Sequence, residues 1–234
     1  MKAQAAPIGI LVMAFAAPTH TDQGGETLVR PPLRAYIEAR ISEVAEIPDT
    51  RKAALLQIAE YVSQRTSTSR PVALTFICTH NSRRSHMAQL WAQTAAAYAG
   101  IEGVRTFSGG TETSAFNPRA VKAIERAGFQ VQKSASGDNP IYHVGYIDGG
   151  SSMECFSKKF SDPPNPTADF CAVMVCSQAD EACPVVPGAD LRIAIPYDDP
   201  KSADGSDREA VAYDERCMQI AREMLFVFAG VGQP

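Results

Sequence analysis

The sequence has little of what marks several classes of protein. Its 22 Lys and Arg residues are outnumbered by 26 Asp and Glu residues, a formal net charge of −4, so it lacks the excess of positive charge typical of nucleic-acid binding. No apolar run reaches the roughly 18 residues of a membrane-spanning helix. Six cysteines and four scattered histidines indicate neither a disulfide scaffold nor a zinc site. Of 234 residues, 45% are hydrophobic and 21% are charged, which predicts a globular protein of one or two domains.

The first 27 residues permit two interpretations. Lys2 precedes an apolar stretch, and Ala14-Phe15-Ala16 within it has the small-x-small form of a signal-peptide cleavage site. The stretch follows only a single charged side chain and Pro7, which suits a flexible N-terminal tail equally well. Both interpretations, a tail and a secretory signal over residues 1–16, stay open at this point.

Two helices are predicted ahead of the rest of the fold. Apolar residues at helical spacing place the first over residues 33–46 and the second over residues 49–64. They form an αα extension, residues 28–66, whose apolar stripes need another surface to pack against. The Thr- and Ser-rich tract at residues 65–71 predicts a linker.

From residue 72 onward, strands alternate with helices. The predicted elements are strands over residues 72–77, 104–107, 129–131, 170–175 and 191–195, and helices over residues 85–98, over residues 117–127 and from residue 206. This alternation predicts an α/β fold with a small parallel sheet of about four strands and helices on both faces. Residues 141–146 and 153–156 flank a Gly-rich turn and predict a β-hairpin inserted at the edge of that sheet.

The stretch from Phe76 to Ser85 carries the strongest chemical signal. A buried strand ends at Cys78, a loop of five residues follows, and Arg84 and Ser85 open a helix. The N–H groups of such a loop and of the helix N-terminus bind an oxyanion and stabilise a thiolate at Cys78. Ser85 can donate a hydrogen bond to that sulfur, and the planar fork of Arg84 fits two oxyanion oxygens. The predicted oxyanion-binding residues are Thr79, His80, Asn81, Ser82, Arg83 and Arg84.

The motif around Cys78 resembles a known family. Residues 77–88 read Ile-Cys-Thr-His-Asn-Ser-Arg-Arg-Ser-His-Met-Ala, and their Cys-x5-Arg-Ser pattern is similar to the nucleophile loop of the low-molecular-weight protein tyrosine phosphatase superfamily. The thioredoxin-coupled arsenate reductases are one branch of that superfamily. The segments Ser108-Gly-Gly-Thr-Glu and Asn117-Pro-Arg-Ala-Val resemble the family as well. The resemblance covers residues 71–234 and implies that they form the catalytic domain.

The same resemblance implies a general acid. In this family it is an Asp that precedes a Pro in a late loop, which here is Asp199 in the sequence Tyr-Asp-Asp-Pro. Its carboxyl group would protonate the leaving oxygen. Asp198 is the neighbour most easily confused with it.

Cys176 and Cys183 distinguish between two activities. They lie seven residues apart in a polar loop after a core strand, and the resemblance to arsenate reductases implies that they are resolving cysteines in a mobile loop. Arsenate would form an adduct with Cys78, and Cys176 would attack Cys78 and release arsenite. A Cys176–Cys183 disulfide would then be reduced by an external thioredoxin-like dithiol. The alternative is a phosphatase that hydrolyses phosphotyrosine or other phosphomonoesters through a Cys78 phosphoenzyme and needs neither cysteine.

A third hypothesis is a non-enzymatic oxyanion-binding module, which the joint presence of nucleophile, cradle and acid disfavours. The predicted catalytic residues are Cys78, Arg84, Ser85, Asp199, Cys176 and Cys183. We expect no metal and no bound cofactor. The expected partners are a small oxyanion or phosphomonoester and a thioredoxin-like reductant, with neither nucleic acid nor a membrane span. Because the relay needs a reductant, we expect the cytoplasm as its location, unless residues 1–16 export the protein.

Some features depart from the family pattern or fall outside the predicted chemistry. Cys171 and Cys217 lie at apolar positions and are predicted to be core residues, whereas Cys155 in the hairpin is open to oxidation but has no evident partner. The αα extension and the hairpin at residues 139–157 are additions to the minimal family fold. Arg83 stands where the family often has Cys or an aliphatic residue. These departures leave the choice of substrate open.

Overall fold

The computed structural model describes residues 29–134, 136–150 and 152–232. Its helices and strands, in chain order, are α1 (Pro31–Ile41), α2 (Asp49–Ser67), β1 (Val72–Cys78), α3 (Arg84–Tyr98), β2 (Val104–Gly110), α4 (Pro118–Arg126), β3 (Gln130–Lys133), β4 (Tyr142–Gly145), β5 (Met153–Cys155), β6 (Phe170–Met174), α5 (Ser177–Ala182), β7 (Ala189–Ala194) and α6 (Glu209–Ala229). None of these helices is long and apolar enough to cross a membrane. The two interpretations of residues 1–27 lie outside the described residues.

A four-stranded parallel sheet with the order β2-β1-β6-β7 forms the centre of the fold. Its middle strands, β1 and β6, are buried along almost their whole length, which agrees with their nearly continuous apolar sequences. Ile77 of β1 lies opposite Gly109 of β2 on one side and Met174 of β6 on the other. The predicted α/β fold with a parallel sheet of about four strands is confirmed.

The connections from the two middle strands leave in opposite directions. The chain runs from β1 through α3 to β2 on one side, and from β6 through α5 to β7 on the other. The carboxyl ends of β1 and β6 therefore meet at a topological switch point, the place where open α/β sheets bind their ligands. Cys78 is the last residue of β1, and Cys176 is the second residue after β6.

The αα extension packs onto the hydrophobic core of the sheet and its helices. Helix α1 contacts α6, and α2 contacts α6, β7 and β1. Five apolar side chains of the extension are completely buried: Leu33, Ile37, Leu55, Ile58 and Val62. The first helix is shorter than predicted because it ends at Ile41 and a separate 3-10 turn, Val44–Glu46, follows.

The linker predicted from Arg65 to Pro71 is wrong in its first part, because α2 continues to Ser67. The guanidinium group of Arg65 is buried, and it donates to Pro71 O (2.8 Å), Asp190 Oδ2 (2.7 Å) and Asp169 O (3.0 Å). These bonds tie the last turns of α2 to the amino ends of three strands of the parallel sheet. Tertiary contacts of this kind override a weak local preference for a loop.

The predicted hairpin is confirmed, but its place in the fold is not the predicted one. Strands β4 and β5 pair in antiparallel fashion, and β3 pairs with the other edge of β4. Together they form a second, three-stranded sheet, so the prediction of an insertion at the edge of the parallel sheet is wrong. The strand predicted over residues 129–131 also belongs here, because the mostly exposed side chains of β3 do not suit a buried parallel strand.

Candidate active site

Cys78 lies where the central strand β1 ends, with 3% of its surface exposed. Helix α3 begins at Arg84, so residues 79–83 turn the chain directly from strand into helix. Helix N-termini carry unpaired N–H groups and the positive end of the helix dipole. The predicted arrangement of strand, loop and helix is therefore present around the sulfur.

The nucleophile loop, residues 78–84, is held from outside through its carbonyl oxygens. They accept hydrogen bonds from neighbouring segments: Cys78 O from Thr111 N (3.1 Å), Thr79 O from Glu112 N (2.8 Å), His80 O from Ser157 Oγ (2.9 Å) and Ser82 O from Asn117 N (2.9 Å). Because the C=O of a trans peptide points opposite to the following N–H, the N–H groups of residues 79, 80, 81 and 83 face away from these supports. N–H groups presented in this way are suited to binding an anion.

Gly110 permits the tight packing around this loop. A Cβ added there would lie 2.2 Å from Glu112 O and 2.6 Å from Thr79 O, so any larger residue would push the loop from its place. This contact is the physical reason for glycine in the segment Ser108-Gly-Gly-Thr-Glu.

Asn81 and Ser85 direct a hydrogen bond toward the sulfur of Cys78. Asn81 Oδ1 accepts from Lys158 N (3.0 Å), which fixes the amide so that its Nδ2 donates to Ser85 Oγ (2.9 Å). Ser85 Oγ in turn lies 3.1 Å from Cys78 Sγ. Because the Ser85 oxygen already accepts from Asn81, its own hydrogen is free to point at a Cys78 thiolate.

Arg84 joins the nucleophile loop to the segment that carries Asp199. Its Nη1 donates to Tyr197 O (2.9 Å) and its Nη2 to Asp199 Oδ2 (2.8 Å), while only 10% of its side chain is exposed. Asp198, in contrast, has a 99% exposed side chain that lies 3.5 Å from Arg216. Of the two adjacent carboxylates, only Asp199 contacts Arg84.

The remaining side chains of the loop serve other contacts. Ser82 Oγ donates to a backbone carbonyl ahead of α4 (2.7 Å), and the His80 side chain is 51% exposed. Arg83 Nε donates to Tyr213 OH (2.8 Å) and lies 3.9 Å from the Asp199 carboxylate. The main chain of the loop, rather than these three side chains, therefore supplies the groups suited to an oxyanion.

Cys176 lies near Cys78 because their strands are neighbours. Strand β6 pairs with β1 in parallel, with Met174 opposite Ile77, and paired strands are about 4.8 Å apart. Cys176 follows β6, is fully buried, and has its Sγ 3.5 Å from Thr79 Oγ1. Two of the three predicted relay cysteines therefore follow neighbouring strands at the same edge of the sheet, with Cys176 next to Thr79 of the nucleophile loop.

Cys183 is kept apart from Cys176 by α5. The segment predicted as a loop is a helix of six residues, with Cys176 as its N-cap and Cys183 as its C-cap. Seven residues at 1.5 Å each separate the two Cα atoms by roughly 10 Å, whereas a disulfide allows at most about 6.8 Å. A bond between these cysteines therefore requires α5 to unwind. The loop prediction is wrong because Cys176 Sγ accepts from Ala179 N (3.3 Å) and Arg192 holds the other end through Cys183 O (2.9 Å).

Known proteins are similar to this chain. The low molecular weight phosphotyrosine protein phosphatase family matches residues 73–141. An arsenate reductase of Bacillus licheniformis is 30% identical over 160 residues, which cover 68% of this chain and 95% of the relative. The arsenate reductase of Bacillus subtilis is 32% identical over 158 residues, with the same two coverages.

The chain belongs to the low-molecular-weight phosphotyrosine phosphatase family. Its similarity to these relatives places it in the arsenate reductase branch of that family. Among solved structures, a thioredoxin-dependent arsenate reductase of Corynebacterium glutamicum is 20% identical, covers 79% of this chain and 80% of its own, and has a TM-score of 0.35.

Sequence reasoning missed several residues that support the nucleophile loop of this phosphatase-family member. Ser157 and Lys158 follow the hairpin, yet they bind His80 and Asn81, 77 residues earlier in the chain. Tyr197 contributes a carbonyl oxygen to Arg84, a role that any residue type could fill. No local pattern marks such contacts; the only signal is a pair of polar residues immediately after a predicted strand.

Three cysteines of the chain pack in the core instead of the site. Cys155, Cys171 and Cys217 are fully buried, and burial raises the pKa of the first two to about 12 and of the third to about 11. Core positions were predicted for Cys171 and Cys217 and are confirmed, whereas the expectation that Cys155 is open to oxidation is wrong. Within the described residues, no group of three His, Cys, Asp or Glu side chains is placed to hold a metal ion.

Proposed function

We propose that this chain reduces arsenate to arsenite with Cys78, Cys176 and Cys183 as its three working thiols. The proposal is supported by the position of Cys176, which follows the strand next to the one that ends at Cys78 and contacts Thr79 of the nucleophile loop, with Cys183 one short helix away. The relatives named arsenate reductase support it. A phosphatase of the same family needs no second sulfur near the first.

In the first step the loop N–H groups and Arg84 bind arsenate, and the Cys78 thiolate attacks arsenic. Arg84 has to exchange Asp199 for an arsenate oxygen, which frees the Asp199 carboxyl group to protonate the oxygen that leaves as water. Ser85 stabilises the thiolate before the attack. The product is a covalent arsenic–sulfur adduct in which arsenic is still pentavalent.

The second step supplies the electrons. The Cys176 thiolate attacks Cys78 Sγ, a disulfide forms between them, and the arsenic–sulfur bond breaks with its electron pair left on arsenic, which departs as arsenite. Cys183 then attacks Cys176 as α5 unwinds, and Cys78 is released as a thiolate. A thioredoxin-like dithiol reduces the Cys176–Cys183 disulfide, and this requirement favours the cytoplasm as the working location.

Comparing two substrates tests the proposal. We expect wild type to reduce arsenate over many turnovers with a dithiol, and Cys176→Ser to lose this activity while it retains any hydrolysis of para-nitrophenyl phosphate. Serine preserves the N-cap acceptor for Ala179 N, so the substitution keeps α5 intact. The matched control is Cys171→Ala, which removes a buried thiol of β6 without touching the site.

The phosphatase is the second candidate, because Cys78, Arg84 and Asp199 serve hydrolysis equally well. It takes precedence if Cys176→Ser and Cys183→Ser both keep wild-type activity on every substrate. Loss of arsenate turnover in Cys171→Ala to the same degree as in Cys176→Ser would show that the assay reports damage to the fold rather than a relay.

A further inference from the structure

Arg51, in the first turn of α2, connects the αα extension to residues that support the active site. Its Nε and Nη2 donate to Glu223 Oε2 at 3.0 and 2.8 Å, and Nη2 also donates to Ile195 O at 3.1 Å. Glu223 lies on α6 with 2% of its surface exposed. A carboxylate this deeply buried needs a cation and hydrogen bonds, and Arg51 supplies the cation.

Tyr197 connects this pair to Arg84. Its hydroxyl donates to the same Glu223 Oε2 (2.7 Å), and the Arg51 guanidinium stacks over its ring at 4.7 Å. Burial, with the nearby Glu223 charge, raises the pKa of Tyr197 well above its ordinary value, so the hydroxyl stays a donor. The carbonyl of the same residue accepts from Arg84 Nη1 (2.9 Å). The contacts thus run without a gap from Arg51 to the guanidinium of Arg84.

The direction of α2 explains why this end of the helix meets the site. Arg51 binds Ile195, just past the carboxyl end of β7, whereas Arg65 binds Asp190 at the amino end of the same strand. The helix therefore runs antiparallel to the sheet. Its first turn lies at the edge that carries Cys78, and its last turns lie at the opposite edge.

We propose that the αα extension is a working part of the active site and that Arg51 is a positioning residue for Arg84. Arg51 fixes Ile195 and Tyr197, and through the Tyr197 carbonyl it holds the Arg84 guanidinium in the orientation that receives an oxyanion. The proposal rests on the proposed function only in that Arg84 binds the oxyanion, which reduction and hydrolysis share.

The test compares Arg51→Met with Arg65→Met. Each removes an arginine of α2 that pairs with a carboxylate, so both should lower the melting temperature. Inorganic phosphate should protect Cys78 from iodoacetamide, and we expect Arg51→Met to weaken this protection about tenfold. The variant should lower kcat/KM for arsenate by at least as much. Arg65→Met should stay within about twofold of wild type in both.

Two further variants separate positioning from folding. Arg51→Lys keeps the charge beside Glu223 but cannot donate to Glu223 and Ile195 O together. Compared with Arg51→Met, it should therefore restore the melting temperature more fully than it restores phosphate binding. Arg51→Met combined with Glu223→Gln removes the buried charge and should fold even if Arg51→Met does not, with phosphate binding still impaired.

Wild-type phosphate protection in Arg51→Met, or in the double variant, would overturn the proposal, and so would an equal loss in Arg65→Met. Phosphate protection is measured without turnover. Failure of arsenate reduction would therefore leave this test valid, and failure of this test would leave the relay untouched.

Discussion

Arg192 of β7 binds the C-terminal end of α5, and replacing Arg192 should speed the formation of the Cys176–Cys183 disulfide. Its Nε donates to Cys183 O (2.9 Å) and its Nη2 to Asp180 O (2.7 Å), and it also pairs with the Asp180 carboxylate. These bonds exist only while α5 is wound. Since a Cys176–Cys183 disulfide requires α5 to unwind, Arg192→Met should favour it.

The size of the effect depends on how far the contacts between Arg192 and α5 are exposed to solvent. A hydrogen bond to a charged group contributes about 1.5–3 kcal/mol when well shielded. The side chains of Arg192 and Asp180 are 24% and 32% exposed. We therefore assign about 1–2 kcal/mol to all the contacts of Arg192 with α5 together. At about 1.4 kcal/mol per factor of ten, the unwound population of α5 should rise roughly 5- to 30-fold.

Rapid quenching measures this directly. Wild type and Arg192→Met are mixed with arsenate without external reductant, alkylated at intervals, and analysed by peptide mass spectrometry for the Cys176–Cys183 disulfide. Arg105→Met, at an exposed position of β2, serves as the control. If the Cys176–Cys183 disulfide forms in Arg192→Met no faster than in wild type, the proposed role of Arg192 is refuted.

Two further predictions concern the acid and the pH dependence of stability. Asp199→Asn should slow formation of the first adduct about 10²- to 10⁴-fold without weakening phosphate binding, whereas Asp198→Asn should be mild, as measured by single-turnover kinetics. Burial, and then the charge of Lys158, lower the pKa of His86 well below its ordinary value. As the pH falls below about 6.5, the unfolded chain therefore binds a proton at His86 before the folded chain does, and the free energy of unfolding should decrease by up to about 1.4 kcal/mol per pH unit. Urea unfolding measures this slope, which His86→Asn should remove.

Both predictions have simple controls. If Asp198→Asn is the slower variant, the acid has been assigned to the wrong carboxylate. For the pH slope, His143→Asn on the second sheet provides the comparison. A slope that persists in His86→Asn would assign the acid sensitivity to another group.

The local part of the site was predictable because its signals lie close together in the chain. Cys78, Arg84 and Ser85 fall within eight residues that turn from an apolar strand into a helix, and such a turn creates an anion site by its geometry alone. The parallel sheet was predictable for a similar reason, since short apolar runs that alternate with helices have few other arrangements. Family resemblance then singled out Asp199.

The rest depended on contacts between distant residues. Helix α5 has six residues, too few to form without help from other parts of the chain, and it exists because Cys176 caps it and Arg192 holds it. The first part of the predicted linker is helical because Arg65 binds Asp190 of β7 and the residues just ahead of β1 and β6. Arg51 sits in an ordinary amphipathic helix, and only the fold shows that it touches Glu223.

The proposed relay is tested most directly by a single turnover of Cys183→Ser. The variant is mixed with arsenate in the absence of reductant, and its alkylated peptides are mapped by mass spectrometry while arsenite is quantified. We expect about one equivalent of arsenite together with a Cys78–Cys176 disulfide that persists, because the thiol that would resolve it is gone. Arsenite release without that disulfide, or a variant that forms neither product, would contradict the relay.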